Sequence, residues 1–361
     1  MNSIQAKQEI ETIDHRQRSA RRIDLSIVVV SYNTRELTCK CLSSIYESQP
    51  QISFEIIVYD NGSVDGSADA IKELFPGVHV ICSDTNIGFG AANNIAVSTA
   101  KGDWVLLLNP DTQVLAEGVE QLFHFASTTS DQAIYGGASV TPEGEVDHRS
   151  CWGKPSLWGL TMRALGLSAI ARHSSFFNPE EIPGWQRDST RDVDVVTGCF
   201  LMLKKTEWEK LNGFDVDYFM YSEETDLCLR AARKGMRRIF YPNARVLHIG
   251  GASERSKAHK TIKLFRGKRL YFEKNYCKTG SILSSLILDL HVLARLTALR
   301  ISLFQSTGRK QDVEHWQAVW RKRRDWNQPQ IHMGRRLEFK LSETIDMHRE
   351  CSIKDSLSKP V

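Results

Sequence analysis

From residue 25 onward the chain alternates between short apolar runs and longer stretches with helical spacing. Residues 25–30 form an apolar, β-branched run broken only by Ser26, the pattern of a strand buried on both faces of a parallel sheet. Residues 34–48 follow, with Leu37, Cys41, Leu42 and Ile45 at helical spacing, which predicts a helix with one apolar face. The alternation repeats as a strand at 54–59, a helix at 65–75, a strand at 78–83, a helix at 88–100 and a strand at 104–108. Units of this kind predict an α/β fold, a mostly parallel sheet flanked by helices. Later elements are a strand at 194–204, a helix at 223–234 and strands at 236–241 and 245–249. Between them, 141–191 is rich in Trp, Gly, Pro and Ser and lacks a clear period, so it reads as a long functional loop with a short helix near 157–165.

Beyond residue 250 the pattern becomes helical throughout, which divides the chain into a polar tail (1–23), an α/β domain (24–253) and a helical C-terminal extension (254–361). Residues 281–304 are strongly apolar, yet Asp289, His291, Arg295 and Arg300 interrupt them. A spanning helix rarely carries four such groups. An amphipathic helix, lying on a bilayer or packed on the domain, fits better.

Composition narrows the picture. At 361 residues and 41% hydrophobic, the chain can bury one large core plus an appended segment, and a net charge of +4 gives no global case for nucleic-acid binding. Local basic runs at Arg16–Arg22, 255–278 and 321–324 suit solvated faces or an anionic membrane surface. The eight cysteines contain no C-x2-C pair, so reduced thiols in a cytosolic protein are expected rather than a zinc site or a disulfide framework. The polar first 23 residues have no apolar core of the kind a secretory signal carries.

Ligands in open α/β sheets bind outside the carboxyl ends of the strands. That rule selects Ser31-Tyr32-Asn33, Asp60-Asn61-Gly62-Ser63 and Asn109-Pro110-Asp111. Asp111 is placed either to hold a hard divalent cation or to open a following helix. Asp60 can accept from a pyrimidine N–H bordered by Ser31, Tyr32 and Asn33, or form an Asx turn. The segment Asn86–Asn94 has only a partial glycine pattern, but a helix N-terminus there suits phosphate, and Asn93 within it is a binding candidate. Glu223 and Glu224 are adjacent at a helix start, where like charge and partial burial raise a carboxylate's pKa toward that of a general base. His248 ends the last strand and is a candidate metal ligand.

The order N-P-D, G-F-D, an acidic pair and a histidine 24 positions later resembles family 2 glycosyltransferases with the GT-A fold, over residues 24–253. More narrowly, L-N-P-D-T, V-T-G-C-F-L-M-L, F-M-Y-S-E-E-T-D-L-C-L-R and H-I-G-G-A-S resemble bacterial rhamnosyltransferases. The resemblance implies an inverting, metal-dependent transfer from a nucleotide-diphosphate sugar, dTDP-rhamnose by analogy, to a hydroxyl of a polyprenyl-diphosphate-linked saccharide in cell-surface polysaccharide synthesis. It assigns Asp60 to the donor base and sets Asn109 and Asp111 in the D-x-D position, with Asp111 and His248 binding Mn2+ or Mg2+. Glu224 takes the base position, with Glu223 as the rival for it. Asn109 stands where a full D-x-D has Asp, and Glu224 where Asp is common. The loop at 141–191 would cover the acceptor site, and the extension would hold a cytoplasmic enzyme at the inner face of the plasma membrane. Galactosyl, mannosyl or glucosyl transfer, and donor binding without turnover, are the alternatives. A nicotinamide oxidoreductase needs a glycine fingerprint after the first strand, and Ser31-Tyr32-Asn33-Thr34-Arg35 has none.

Overall fold

The computed structural model describes residues 22–129, 132–249, 256–303 and 310–327. The expected tail over 1–23 lies almost wholly outside them, as do the expected boundary at 253/254 and Gly250-Gly251. In chain order the first half comprises β1 (Leu25–Ser31), α1 (Arg35–Glu47), β2 (Phe54–Asp60), α2 (Ser67–Leu74), β3 (His79–Cys82), α3 (Phe89–Ser98) and β4 (Trp104–Leu108). Then come β5 (Thr112–Val114), α4 (Gly118–Thr128), β6 (Ala133–Val140), β7 (Cys151–Trp152), α5 (Leu157–Ala164) and α6 (Leu167–Ile170). β8 (Arg191–Asp192), β9 (Val195–Val196), β10 (Phe200–Lys204), α7 (Lys205–Lys210), α8 (Glu223–Arg233) and β11 (Arg237–His248) complete the α/β part.

Nine strands form one sheet in the order β3-β2-β1-β4-β10-β6-β11-β5, with β8 also paired to β11. β1 to β4 are mutually parallel, β10 enters antiparallel to both β4 and β6, and β6 and β11 run with the first four. The expected mostly parallel sheet is therefore present. This topology puts the carboxyl ends of β1, β2, β4 and β11 on one edge, together with the start of the antiparallel β10. Alternate strand residues feed two cores. Val28, Val30, Ile57, Val105 and Leu107 face α3 and α8, while Ile27, Val29, Ile56, Val58, Leu106 and Leu108 face α1, α2 and α4. Each such side chain contributes about 1.5–3 kcal/mol of burial free energy, so the strand ends are fixed by a rigid support.

Three local readings change. The strand expected at 194–204 is two: β9 pairs with β7 in a separate two-stranded sheet, and Thr197-Gly198-Cys199 carries the chain across to β10. The two strands expected at 236–249 are one, β11, with a register irregularity between Tyr241 and Arg245; Pro242, which has no N–H to donate, falls inside it. Asp111 is followed by β5 rather than a helix, so it caps no helix.

The C-terminal segment consists of α9 (Lys257–Asn275), α10 (Lys278–Leu303), α11 (Lys310–Arg321) and α12 (Arg323–Asn327). Leu270, Tyr271, Phe272, Leu288, Val292 and Trp326 form a third core with Leu160 and Ala164 of α5. By length and composition α10 could cross a membrane. One side of it is nevertheless packed on this core, while Ile282, Leu283, Leu286, Leu290 and Leu293 remain exposed.

Candidate active site

The convergent sheet edge opens into a cavity of about 210 Å3 lined by Tyr32, Asn61, Phe89, Asn109, Asp111 and His248, among others. Register explains the meeting of residues so far apart in sequence. β11 pairs with β5 so that His248 lies opposite Thr112, and Ile249 N donates to Asp111 O at 3.1 Å. His248 Nε2 thereby stands 3.4 Å from Asp111 Oδ1. Burial works against the charged imidazole, but Cys199 and the Asp111 carboxylate outweigh it and raise the His248 pKa to about 10. A metal ion binding the same nitrogen would have to replace that proton.

Asn109 N donates to Cys199 O at 3.0 Å, and Thr112 N and Oγ1 both return to Asn109 O, at 3.2 and 2.7 Å. This tight turn leaves Asn109 Oδ1 buried with no partner. A carboxylate, an imidazole and an orphaned amide oxygen suit a divalent cation that draws its other ligands from phosphate oxygens. Among the described residues no group of three or more His, Cys, Asp or Glu side chains gathers for a metal.

Asp60, 3% exposed, divides its two oxygens. Oδ1 accepts from Ser63 N at 2.9 Å, an Asx-type turn, and Oδ2 is buried without a partner. The turn-forming reading accounts for Oδ1, and Asp60 itself is not among the residues that line the cavity. Tyr32 and Thr34 reach the cavity. Ser31 instead lies beneath it, its hydroxyl bonded to those of Thr34 and Thr38 at 3.2 and 3.0 Å. Asn33 (φ +52°) ties two loops together, its N–H donating to Ser63 Oγ and its Oδ1 accepting from Val64 N.

Asn93 does not reach the cavity. It is 1% exposed inside α3, where Nδ2 donates back to Phe89 O at 2.9 Å, the local back-bond open to a short amide one helical turn on. At the start of α3 the first N–H is already committed, since Phe89 N donates to Phe219 O at 2.8 Å. Gly88 serves this close approach: its φ is +93°, and a Cβ there would stand 2.7 Å from Phe219 O.

Phe219, Met220 and Tyr221 form the opposite wall of the cavity. Tyr221 and Ser222, both at φ +72°, then turn the chain into α8 so that Glu223 and Glu224 open its first turn. Neither glutamate lines the cavity directly. Glu224 lies beside its wall, where a Cβ on Gly198 would stand 3.5 Å from Glu224 Cβ and 4.0 Å from the Phe89 ring. Burial lifts the Glu224 pKa to about 7. Glu223, 5% exposed with Oε2 unpartnered, is pushed well above the carboxylate range by burial and by Glu224. The pair therefore holds a proton near neutrality, shared between two crowded carboxyls. Nearby acids are otherwise committed: Asp226 pairs with Arg230 at 2.6 Å, and Asp215 and Asp217 each lie 2.5 Å from Lys274.

Sequence reasoning missed several cavity residues. Arg149 lines it, held by Asp147 at 2.7 Å. Asn61, within a strand end that the sequence did select, ties the end of β2 to the 86–88 loop, accepting from Ile87 N at 2.9 Å and donating to Gly88 O at 3.3 Å. Lys260 and Lys263 arrive from α9. The basic run at 255–278 was the one available signal, and it read as a solvated or membrane-facing surface; what it supplies in part is a positive wall to this cavity. The same helix carries Gly267, whose missing side chain admits Tyr221 and Ser222: a Cβ would press on the Tyr221 carbonyl oxygen and stand 3.1 Å from Ser222 Oγ.

The family model for Glycosyl transferase family 2 matches residues 26–205. The N-acetylglucosaminyl-diphospho-decaprenol L-rhamnosyltransferase of Mycobacterium tuberculosis is 27% identical over 250 residues, covering 66% of this chain and 77% of its own. Rhamnosyltransferase WbbL of Escherichia coli is 25% identical over 273 residues, covering 71% and 98%. Among solved structures, the mannosyltransferase PcManGT of Pyrobaculum calidifontis with GDP-Man and Mn2+ superposes with a TM-score of 0.49 at 16% identity, covering 87% and 86% of the two chains.

Proposed function

We propose that this chain, which belongs to glycosyl transferase family 2, moves L-rhamnose from dTDP-rhamnose to a hydroxyl of a saccharide carried on a polyprenyl diphosphate, in cell-surface polysaccharide synthesis. The observation that carries the reading is the gathering of Asn109, Asp111 and His248 in one cavity, with Asp60 at the end of β2 on the same sheet edge, beside a buried glutamate pair. The choice of sugar and acceptor follows the two rhamnosyltransferase relatives.

In this reading Asp60 Oδ2 accepts the pyrimidine N–H, and Tyr32 borders the base. Arg149, Lys260 and Lys263 face the diphosphate. Glu224 takes the proton of the acceptor hydroxyl as its oxygen bonds to the anomeric carbon. The bond from that carbon to the diphosphate oxygen breaks on the opposite face, so the centre inverts and the nucleotide diphosphate leaves. Asp111, His248 and Asn109 would hold Mn2+ or Mg2+, which when bound supplies charge neutralisation on the departing diphosphate. The exposed apolar stripe of α10 would rest on the inner face of the plasma membrane, where such an acceptor resides.

The test incubates the enzyme with Mn2+, N-acetylglucosaminyl-diphospho-polyprenol and, in separate reactions, dTDP-rhamnose, UDP-glucose, UDP-galactose and GDP-mannose. Nucleotide release and sugar-labelled lipid are both followed. Preferential, acceptor-dependent turnover of dTDP-rhamnose is expected. Preference for another donor would reject rhamnose, and absence of labelled lipid with every donor would reject the acceptor.

A further inference from the structure

A second and larger cleft, about 930 Å3, lies between the 148–187 segment and helices α10 and α11. It borders the first cavity at one turn, where His148 lines the large cleft and Arg149 the small one. Its walls carry four arginines, Arg163, Arg172, Arg187 and Arg295, against two carboxylates, Glu181 and Asp312. Glu180 and Glu181 answer Arg163, at 3.5 and 3.2 Å. Arg172 and Arg295 have no carboxylate partner among the described residues, and Arg187 has none either. Arg187 is 1% exposed and its guanidinium donates to four backbone carbonyls, Glu181 O at 2.6 Å, Trp185 O at 2.9 Å and Ile182 O and Cys151 O each at 3.4 Å, which leaves Nε alone buried and unpartnered. A buried cation without a counter-charge is costly unless something anionic comes to it. His291 records the same local field: burial, Arg295, Lys268 and Arg163 together lower its pKa to about 4.

The wall changes character along α10. His291 and Arg295 give way to Ala298, Leu299 and, from α11, Trp316. At 100° per residue, the exposed Ile282, Leu286, Leu290 and Leu293 fall on the opposite face of the same helix, so the apolar continuation of the cleft is Ala298, Leu299 and Trp316 themselves. Ile170 and Phe176 add exposed apolar surface on the facing segment, at 82% and 60%. A basic floor that passes into the apolar wall of Ala298, Leu299 and Trp316 matches an amphiphile whose head is anionic and whose tail is apolar.

We infer that this cleft binds the diphosphate of the lipid-linked acceptor, with Arg172, Arg187 and Arg295 around the phosphates and the first prenyl units against Ala298, Leu299 and Trp316. The inference rests on the acceptor reading above and adds to it a place and a set of residues. The turn at His148-Arg149 then separates the acceptor's diphosphate from the donor's, and the sugar between them is presented toward Glu224. The segment expected from sequence to cover the acceptor site becomes one wall of its anion pocket.

Binding and turnover test it separately. Calorimetry with farnesyl diphosphate and with inorganic pyrophosphate uses the full chain, its Arg172→Gln and Arg295→Gln variants, and Asp111→Asn as a donor-site control. Farnesyl diphosphate is expected to bind more tightly than pyrophosphate, to weaken at least ~10-fold in each arginine variant, as loss of a charge-assisted contact implies, and to be unchanged in Asp111→Asn. Equal affinity for the two probes, or arginine variants that bind like wild type, would overturn the inference whether or not the enzyme transfers rhamnose. In turnover, both variants should raise KM for N-acetylglucosaminyl-diphospho-polyprenol ~10-fold and leave KM for the nucleotide sugar unchanged. A neutral alkyl N-acetylglucosaminide should be glycosylated equally by variants and wild type. Should wild type glycosylate nothing, the functional reading fails, and the calorimetry alone decides the cleft.

Discussion

Glu224→Gln is the most informative single substitution, because it should damage catalysis and strengthen the fold at once. The amide keeps the shape of the side chain and removes its charge. Burial moves the Glu224 pKa from 4.5 to about 7, so the native state resists ionisation that the unfolded chain accepts readily. A raised native pKa means that the stabilising difference is complete below pH 4.5 and is lost as pH climbs through 7. The full interval corresponds to about 3 kcal/mol. Glu224 retains some solvent access, and screening brings the expected cost of its charge to about 1–2 kcal/mol above pH 7. The Gln variant is spared that cost, so its melting temperature should exceed wild type by about 2–4 °C at pH 8 and match it at pH 4.5. Turnover should fall at least ~100-fold, the usual worth of a general base. The wild-type kcat profile should carry an acidic limb with an apparent pKa near 7, a value that belongs to the Glu223–Glu224 pair, and the variant should lack it. Calorimetric melts at the two pH values and a pH–rate series on both proteins decide the matter. Near-wild-type turnover would refute the base assignment. A variant that is no more stable at pH 8 than at pH 4.5, relative to wild type, would refute the electrostatic reasoning even if activity were lost.

Three further outcomes are expected. EDTA should abolish turnover and added Mn2+ restore it, and Asp111→Asn should raise the Mn2+ needed for half-maximal rate at least ~10-fold, a lower bound taken from the effect of outer-shell changes on metal affinity; a metal titration that overlays wild type would remove Asp111 from the site. Gly267→Ala puts a methyl against the Tyr221 carbonyl, so denaturant melts should show a loss of about 1–3 kcal/mol, typical of overpacking, together with lower kcat as the turn into Glu223 shifts; wild-type stability would mean that α9 does not hold that turn. Leu286→Lys with Leu290→Lys, both on the exposed stripe, should reduce co-sedimentation with anionic vesicles several-fold without altering the melting temperature, and unchanged partitioning would count against membrane contact through α10.

The alternation of apolar runs and helical periods was sufficient to place β1 through β4 and the three helices among them, because strands buried on both faces show in composition alone. It also brought forward Asp60, Asn109 and Asp111, since strand ends can be located once strands are. The pattern could not reveal that β10 would insert antiparallel beside β4, nor that β11 would set His248 opposite Thr112. Those are choices of pairing between segments more than 90 residues apart, and local sequence does not encode them. Asn93 shows the opposite failure: an amide at a promising position bonds to its own helix when the backbone oxygen one turn back is nearest. Lys260, Lys263 and Gly267 lay in a stretch whose charge looked like surface, and only packing of α9 against the Tyr221–Ser222 turn gave them a place at the cavity. Burial of the two glutamates was likewise a tertiary result. Their adjacency is written in the chain, but the wall around Gly198 and Phe89 that raises the pKa of Glu224 exists only once strands and helices have closed over it.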